Sequence, residues 1–76
     1  MELDRITVNP KVMAGQPCVR GMRITVSLVI NLVANGMSNK EIIEEYPDLE
    51  DEDIKQCLYY GSVVSKEEYY PLAKLT

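Results

Sequence analysis

Two arginines and a glycine stand together in Gly15-Gln16-Pro17-Cys18-Val19-Arg20-Gly21-Met22-Arg23-Ile24-Thr25-Val26. Guanidiniums flanking a glycine-shaped turn can grip a phosphate or carboxylate bidentately, with backbone amides assisting. The alternative is structural: one or both arginines pair with acids of the same chain or of a dimer mate, Asp4 or Glu45 for example. Far along the chain, Glu50-Asp51-Glu52-Asp53 gathers four carboxylates. Consecutive carboxylates at a helix start diverge, whereas a hard cation needs convergent oxygens, so the run is read as a solvated cap favoured by the helix dipole and no metal site is expected. Histidine is absent. That removes the commonest general base and zinc ligand, and with no nucleophile motif and no phosphate-binding glycine loop, no enzyme and no cofactor are expected.

Cys18 and Cys57 are 39 positions apart without CxxC spacing, which fits two reduced thiols, with Cys57 on a core face. Tyr59, Tyr60, Tyr69 and Tyr70 can stack on bases, yet along a helical sequence they read first as core edge and interface.

The 76 residues make one domain, whose core is marginal at that size, so a homodimer or partner is expected to add buried surface. The net charge of -4 is polarised. Residues 1–40 carry five cations against two acids, net +3, and residues 41–76 carry three lysines against ten acids, net -7. An anionic partner would meet the first half and a basic partner the second. No apolar run approaches the ~20 residues that span a bilayer, and the first residues form no secretory signal, so no membrane association and a cytoplasmic location are expected.

The elements that position these groups follow from local patterns. Ile6 and Val8 alternate with polar neighbours as in a short strand, which Asn9-Pro10 ends. Gly15 opens a second extended segment over residues 16–20, and Gly21 supplies a positive torsion between Arg20 and Arg23, with Met22 at the tip. Residues 4–26 thus form a β-hairpin that pairing across a dimer would stabilise. Val26, Val29, Ile30 and Val33 keep helical spacing after an N-cap at Thr25 or Ser27, until Asn35-Gly36 ends the helix. Ser38 and Glu41 make a capping box for a short second helix that buries Ile42, Ile43 in part and Tyr46, with Pro47 closing it. Leu49 plugs the core between helices. A third helix starts at Glu50, where Asp53 completes a weak capping box, and its inward stripe is Ile54, Cys57, Leu58 and Gly61. Residues 63–70 extend that helix or start a new turn at Ser65, Pro71 ends it, and residues 72–76 form a loosely held tail.

The chain is therefore expected to be mostly α with a small N-terminal β segment: a short β-hairpin (4–26), three helices in helix-turn-helix spacing (27–62) and a C-terminal extension (63–76). The same spacing suits an ordinary three-helix bundle that binds no DNA. Outward on the third helix the pattern places Asp51, Glu52, Lys55, Gln56 and Tyr59. Phosphates repel Asp51 and Glu52, leaving Lys55 and Gln56 to read bases, so a DNA surface would draw on Arg20 and Arg23 as well. Asp51, Glu52, Tyr59 and Tyr60 are the residues expected to meet a protein partner.

Taken in order, Asp4-Arg5-Ile6, Asn9-Pro10, the Gly15 to Val26 stretch, Gly36-Met37-Ser38, Glu41-Ile42, Tyr46-Pro47-Asp48-Leu49 and Asp53-Ile54 closely resemble the domain of unknown function 433 family, over residues 4–62. The resemblance implies an N-terminal β segment ahead of a homeodomain-like helix-turn-helix. Some members are Vap-type antitoxins paired with a small nuclease resembling the PilT N-terminus domain, so the resemblance implies an antitoxin that binds such a nuclease and represses its own operon by binding operator DNA. A protein-interaction module without nucleic-acid binding is the alternative. Met22 and Glu50 depart from the family, which commonly has threonine at the first and serine or threonine at the second. The family implies no catalytic residue.

Overall fold

A computed structural model describes residues 2–73, with side chains as far as Val64. The elements are β1 (Ile6–Thr7), β2 (Cys18–Val19), α1 (Val26–Ala34), α2 (Asn39–Glu45) and α3 (Asp51–Ala73), a mostly helical chain behind a small antiparallel β-hairpin. Ile6 pairs with Val19 and Thr7 with Cys18. On its other side β2 is covered by its own continuation, through the Cys18–Thr25 bridge and the bonds from Val19 N to Ile24 O and Val26 N to Pro17 O.

The extended segment expected over residues 16–20 is shorter, because β2 runs directly into a reverse turn. Arg20 and Gly21 both take positive φ (45° and 72°), and Met22 N donates to Val19 O at 2.8 Å, which are the torsions and the bond of a type I′ turn. The tip is therefore Arg20-Gly21, and Met22 packs half-buried against the core. Between the strands, Met13, Ala14 and Gly15 wind one left-handed turn, with φ of 49°, 57° and 82°. The two residues with side chains cost about 1–2 kcal/mol each in that conformation.

Each helix starts and stops for a local reason. Thr25 Oγ1 accepts from Leu28 N at 3.1 Å, making Thr25 the N-cap of α1. At the other end Gly36 N donates to Val33 O and Met37 N to Leu32 O, the paired bonds of a Schellman motif, with Gly36 at φ 89°. In α2 the capping box is complete: Glu41 N donates to Ser38 Oγ at 3.2 Å and Ser38 N to Glu41 Oε1 at 2.8 Å. That bond from the Ser38 amide holds the Glu41 carboxyl below its ordinary range.

Val19, Val26, Val29, Ile42, Leu49, Ile54 and Cys57 form the core, with Ile30, Val33, Ile43, Tyr46 and Tyr60 packed partly buried around it. Leu49 is the expected plug, 2% exposed. Leu58 is not part of the inward stripe. It is 39% exposed, because the buried face of α3 centres on Ile54 and Cys57 and extends toward Asp53 and Gln56, where the hairpin covers it. Gly61 marks the close approach of α3 to α1, where a β-carbon would meet Ile30 Cδ1 at 2.6 Å.

Past Gly61, α3 continues without a restart at Ser65 and runs beyond the expected stop at Pro71 to Ala73. Proline removes one helical hydrogen bond yet keeps a helical φ, so it does not by itself end the backbone spiral. The Tyr69 and Tyr70 side chains and residues 74–76 of the expected tail lie outside the described residues. Among the described residues, no helix is long and apolar enough to cross a membrane.

Candidate functional site

The polar chemistry of the molecule converges on one carboxylate. Asp53 lies in the first turn of α3 and is fully buried. Arg20, from the hairpin turn, donates Nε to Asp53 Oδ1 at 3.0 Å and Nη2 to Oδ2 at 2.9 Å, and Nη2 also reaches Asp48 O at 2.6 Å. Arg5, just before β1, donates Nη1 to Asp53 Oδ1 at 3.1 Å and to Glu50 Oε1 at 2.6 Å. The Glu50 amide donates to Asp53 Oδ2 at 2.8 Å, so Asp53 also caps its own helix.

Next to this cluster Gln56 is 3% exposed. Its Oε1 accepts from Arg5 N at 3.0 Å, while its Nε2 donates to Asp4 Oδ1 at 2.7 Å and to Glu52 Oε2 at 3.2 Å. Among the described residues, no buried side-chain nitrogen or oxygen lacks a partner. A buried charge is tolerable only when paired and fully hydrogen-bonded, and this one is.

Charge states follow the geometry. Burial alone would push the Asp53 carboxyl up, but Arg20, the Glu50 amide and Arg5 outweigh it and hold the acid below its ordinary range. The bonds to Glu50 and Asp53 raise Arg5, and the bond to Asp53 raises Arg20, so both stay cationic. Burial, helped by the charge of Asp53, pushes the Cys57 thiol up to about 12.

The residues expected to read DNA are thereby divided. Gln56 does not point outward; it is buried and bonded at both ends of its amide, because the hairpin lies over that flank of α3. Arg20 pairs within the chain, as the structural alternative held, although with Asp53 in place of Asp4 or Glu45. Arg23 and Lys55 are exposed, with no ion pair among the described residues. Of the residues expected to meet a protein, Asp51 and Tyr59 are exposed, while Glu52 and Tyr60 are half-buried, Glu52 bonded to Gln56 and Tyr60 against the core.

A second feature is a set of uncovered apolar side chains on α3, of which the sequence pattern placed only Tyr59 outward. Leu58, Tyr59, Val63 and Val64 are each about two-fifths exposed. Val64 follows Cys57 by seven residues, two helical turns along the same side of α3, yet Cys57 is fully buried and Val64 is not. The nine residues of α1 extend only about 14 Å, so the inward stripe of α3 runs past its cover. That length difference bears on Val64 alone; Tyr59 and Val63 lie one turn apart on the side turned away from the Ile54 and Cys57 stripe.

Among the described residues, no group of three histidine, cysteine, aspartate or glutamate side chains is placed to hold a metal ion.

A two-stranded hairpin tied by arginines to the third of three helices defines a small three-helix protein whose buried polar groups pair within the chain. The family model described as "Protein of unknown function (DUF433)" matches residues 6–60, and the chain belongs to that family. It is similar to a crystal structure of a DUF433 member protein from Anabaena variabilis ATCC 29413, at 27% sequence identity and a TM-score of 0.77, over 92% of this chain and 69% of that one. A search of curated proteins finds no match.

Proposed function

We propose that this protein is an antitoxin-like interaction module that binds a basic protein partner through the second half of α3. The supporting observation is the exposed apolar pair Tyr59 and Val63, one helical turn apart on the outward side of α3. Residues 41–64 carry eight acids and one lysine, so a cationic partner gains favourable long-range attraction. The family resemblance suggests a small nuclease as that partner. Catalysis has no part in this reading: histidine is absent, and both thiols are buried. A cytoplasmic setting belongs to the same proposal.

The experiment is a titration of the purified chain against the protein encoded by the adjacent gene, with Tyr59→Ala and Val63→Asp as variants. The expected result is binding by the native chain and a loss of about tenfold or more in each variant, with thermal stability unchanged. Equal affinity in both variants would remove α3 from the interface.

A second reading, operator binding by a helix-turn-helix, has Arg23 and Lys55 as its remaining cations. In it, Arg23→Ala and Lys55→Ala each weaken retention of upstream DNA in a gel shift and lower the salt slope by about one, as loss of one phosphate contact requires. Full retention by the double variant would end that reading.

A further inference from the structure

We propose that the open edge of β1 pairs with the β1 edge of a second copy of this chain, in antiparallel register about Thr7. The edge is open by construction, because the sheet has the order β1-β2 and β2 is already covered on its far side by residues 24–26. Arg20 N donates to Arg5 O at 2.8 Å, so Arg5 faces β2. In an antiparallel ladder the facing direction alternates, which turns the carbonyl of Ile6 and the amide of Val8 outward. Among the described residues, Val8 N has no hydrogen-bond partner, and the Val8 side chain is 62% exposed. An edge of this kind is a template for another strand.

The chemistry of the edge selects a copy of itself. A two-fold axis at Thr7 sets Ile6 opposite Val8 of the second copy, so each protomer supplies one carbonyl and one amide to two equivalent bonds. Each Val8 side chain then lies beside the half-buried Ile6 of its mate. The charges do not oppose it. The chain turns before and after the strand, with Ile6 N bonded to Leu3 O and Val12 N to Asn9 O, so the pairing is confined to residues 6–8 and brings no acidic cluster of the two copies together. Arg5 and Arg20 add little repulsion, since Glu50 and Asp53 hold them. The strongly acidic residues lie in the other half of the chain. This assignment gives a homodimer its register and is independent of the α3 surface.

Sedimentation of the whole chain from about 5 to about 500 micromolar tests it, that range suiting a small interface. The expected weight-average mass rises from 8.6 kDa toward twice that value, and exchange at the Val8 amide slows over the same range. Val8→Pro deletes the outward donor and should weaken association about tenfold, with the circular dichroism of the monomer unchanged. Val8→Asp keeps the outward amide but sets a carboxylate beside Ile6 of the mate, so it should also weaken association, and as an exposed substitution it stands should Val8→Pro fail to fold. A chain that stays monomeric throughout, or a dimer indifferent to both Val8→Pro and Val8→Asp, would overturn the proposal.

Discussion

Arg20 grips Asp53 with two parallel hydrogen bonds, Nε to Oδ1 at 3.0 Å and Nη2 to Oδ2 at 2.9 Å, joining residues 33 positions apart. The bond spans the hairpin turn and the first turn of α3, and it explains a strained backbone. Arg20 holds a left-handed φ of 45°, a conformation that persists where surrounding contacts over-determine it. The same contact removes the arginine from the surface chemistry its sequence context suggested.

Asp53→Asn keeps the shape and removes the charge. It should lower stability by about 2–3 kcal/mol, the range for hydrogen bonds to charged groups, which for a chain of this size lowers Tm by about 10–20 °C. Arg20→Lys should cost less, about 1 kcal/mol, since it keeps the charge and loses the two-pronged geometry. Urea or thermal unfolding measures both, and an unchanged Asp53→Asn would show that the cluster adds no net stability.

The pH dependence has a definite sign. Burial opposes ionisation of Asp53, but its partners prevail and its folded pKa lies below the ordinary value near ~4. Its contribution is therefore complete above about pH 4 and is lost as pH falls through the lower folded value. Unfolding free energies of the native chain and Asp53→Asn, measured from about pH 6 to about pH 2, should converge toward the acid end. Parallel curves would contradict the assignment.

Cys57 behaves in the opposite sense. Its folded pKa is raised to about 12, so the neutral thiol contributes fully below the ordinary value near ~8.5, and that contribution fades as pH rises from there toward 12. Cys18 and Cys57 are both buried. A thiol-specific reagent at about pH 8 should label neither in the folded chain and both in urea. Rapid labelling of the folded chain would place a thiol at the surface.

Gly61 and Ile30 set the distance between α3 and α1. Gly61→Ala gains up to about 1 kcal/mol in helix propensity and sets its β-carbon 2.6 Å from Ile30 Cδ1, the free end of a half-buried side chain that can swing aside, so part of that gain should survive. Ile30→Val removes that methyl. In a double-mutant cycle the pair should be more stable than the sum of the single effects by about 0.5–1 kcal/mol. Strict additivity would mean that the helices separate without strain.

Much of the fold was legible because its signals are local. Thr25, Ser38 with Glu41, and Gly36 each fix a helix end within four residues, and the structure uses all of them as the sequence suggested. Pro71 was legible as a proline and misleading as a stop. The polar cluster was harder. Helical periodicity alone assigned Gln56 outward, because nothing within α3 reveals that a hairpin 51 positions earlier covers that flank. Asp53 read as one more surface acid for the same reason: its partners Arg5 and Arg20 lie 48 and 33 positions away. The hint in the sequence was the arithmetic of charge, two hairpin arginines facing a run of four acids. The exposure of Val64 was hidden because an apolar stripe does not show where its cover ends.

The most direct measurement is calorimetric titration of the chain with the protein encoded by the adjacent gene, native against Tyr59→Ala/Val63→Asp, with Arg23→Ala/Lys55→Ala as the control. The expected result is binding by the native chain and by the control, and a loss of about a hundredfold in the α3 variant at unchanged Tm. Unaltered affinity in the α3 variant, or no protein binding beside DNA retention that depends on Arg23 and Lys55, would contradict it.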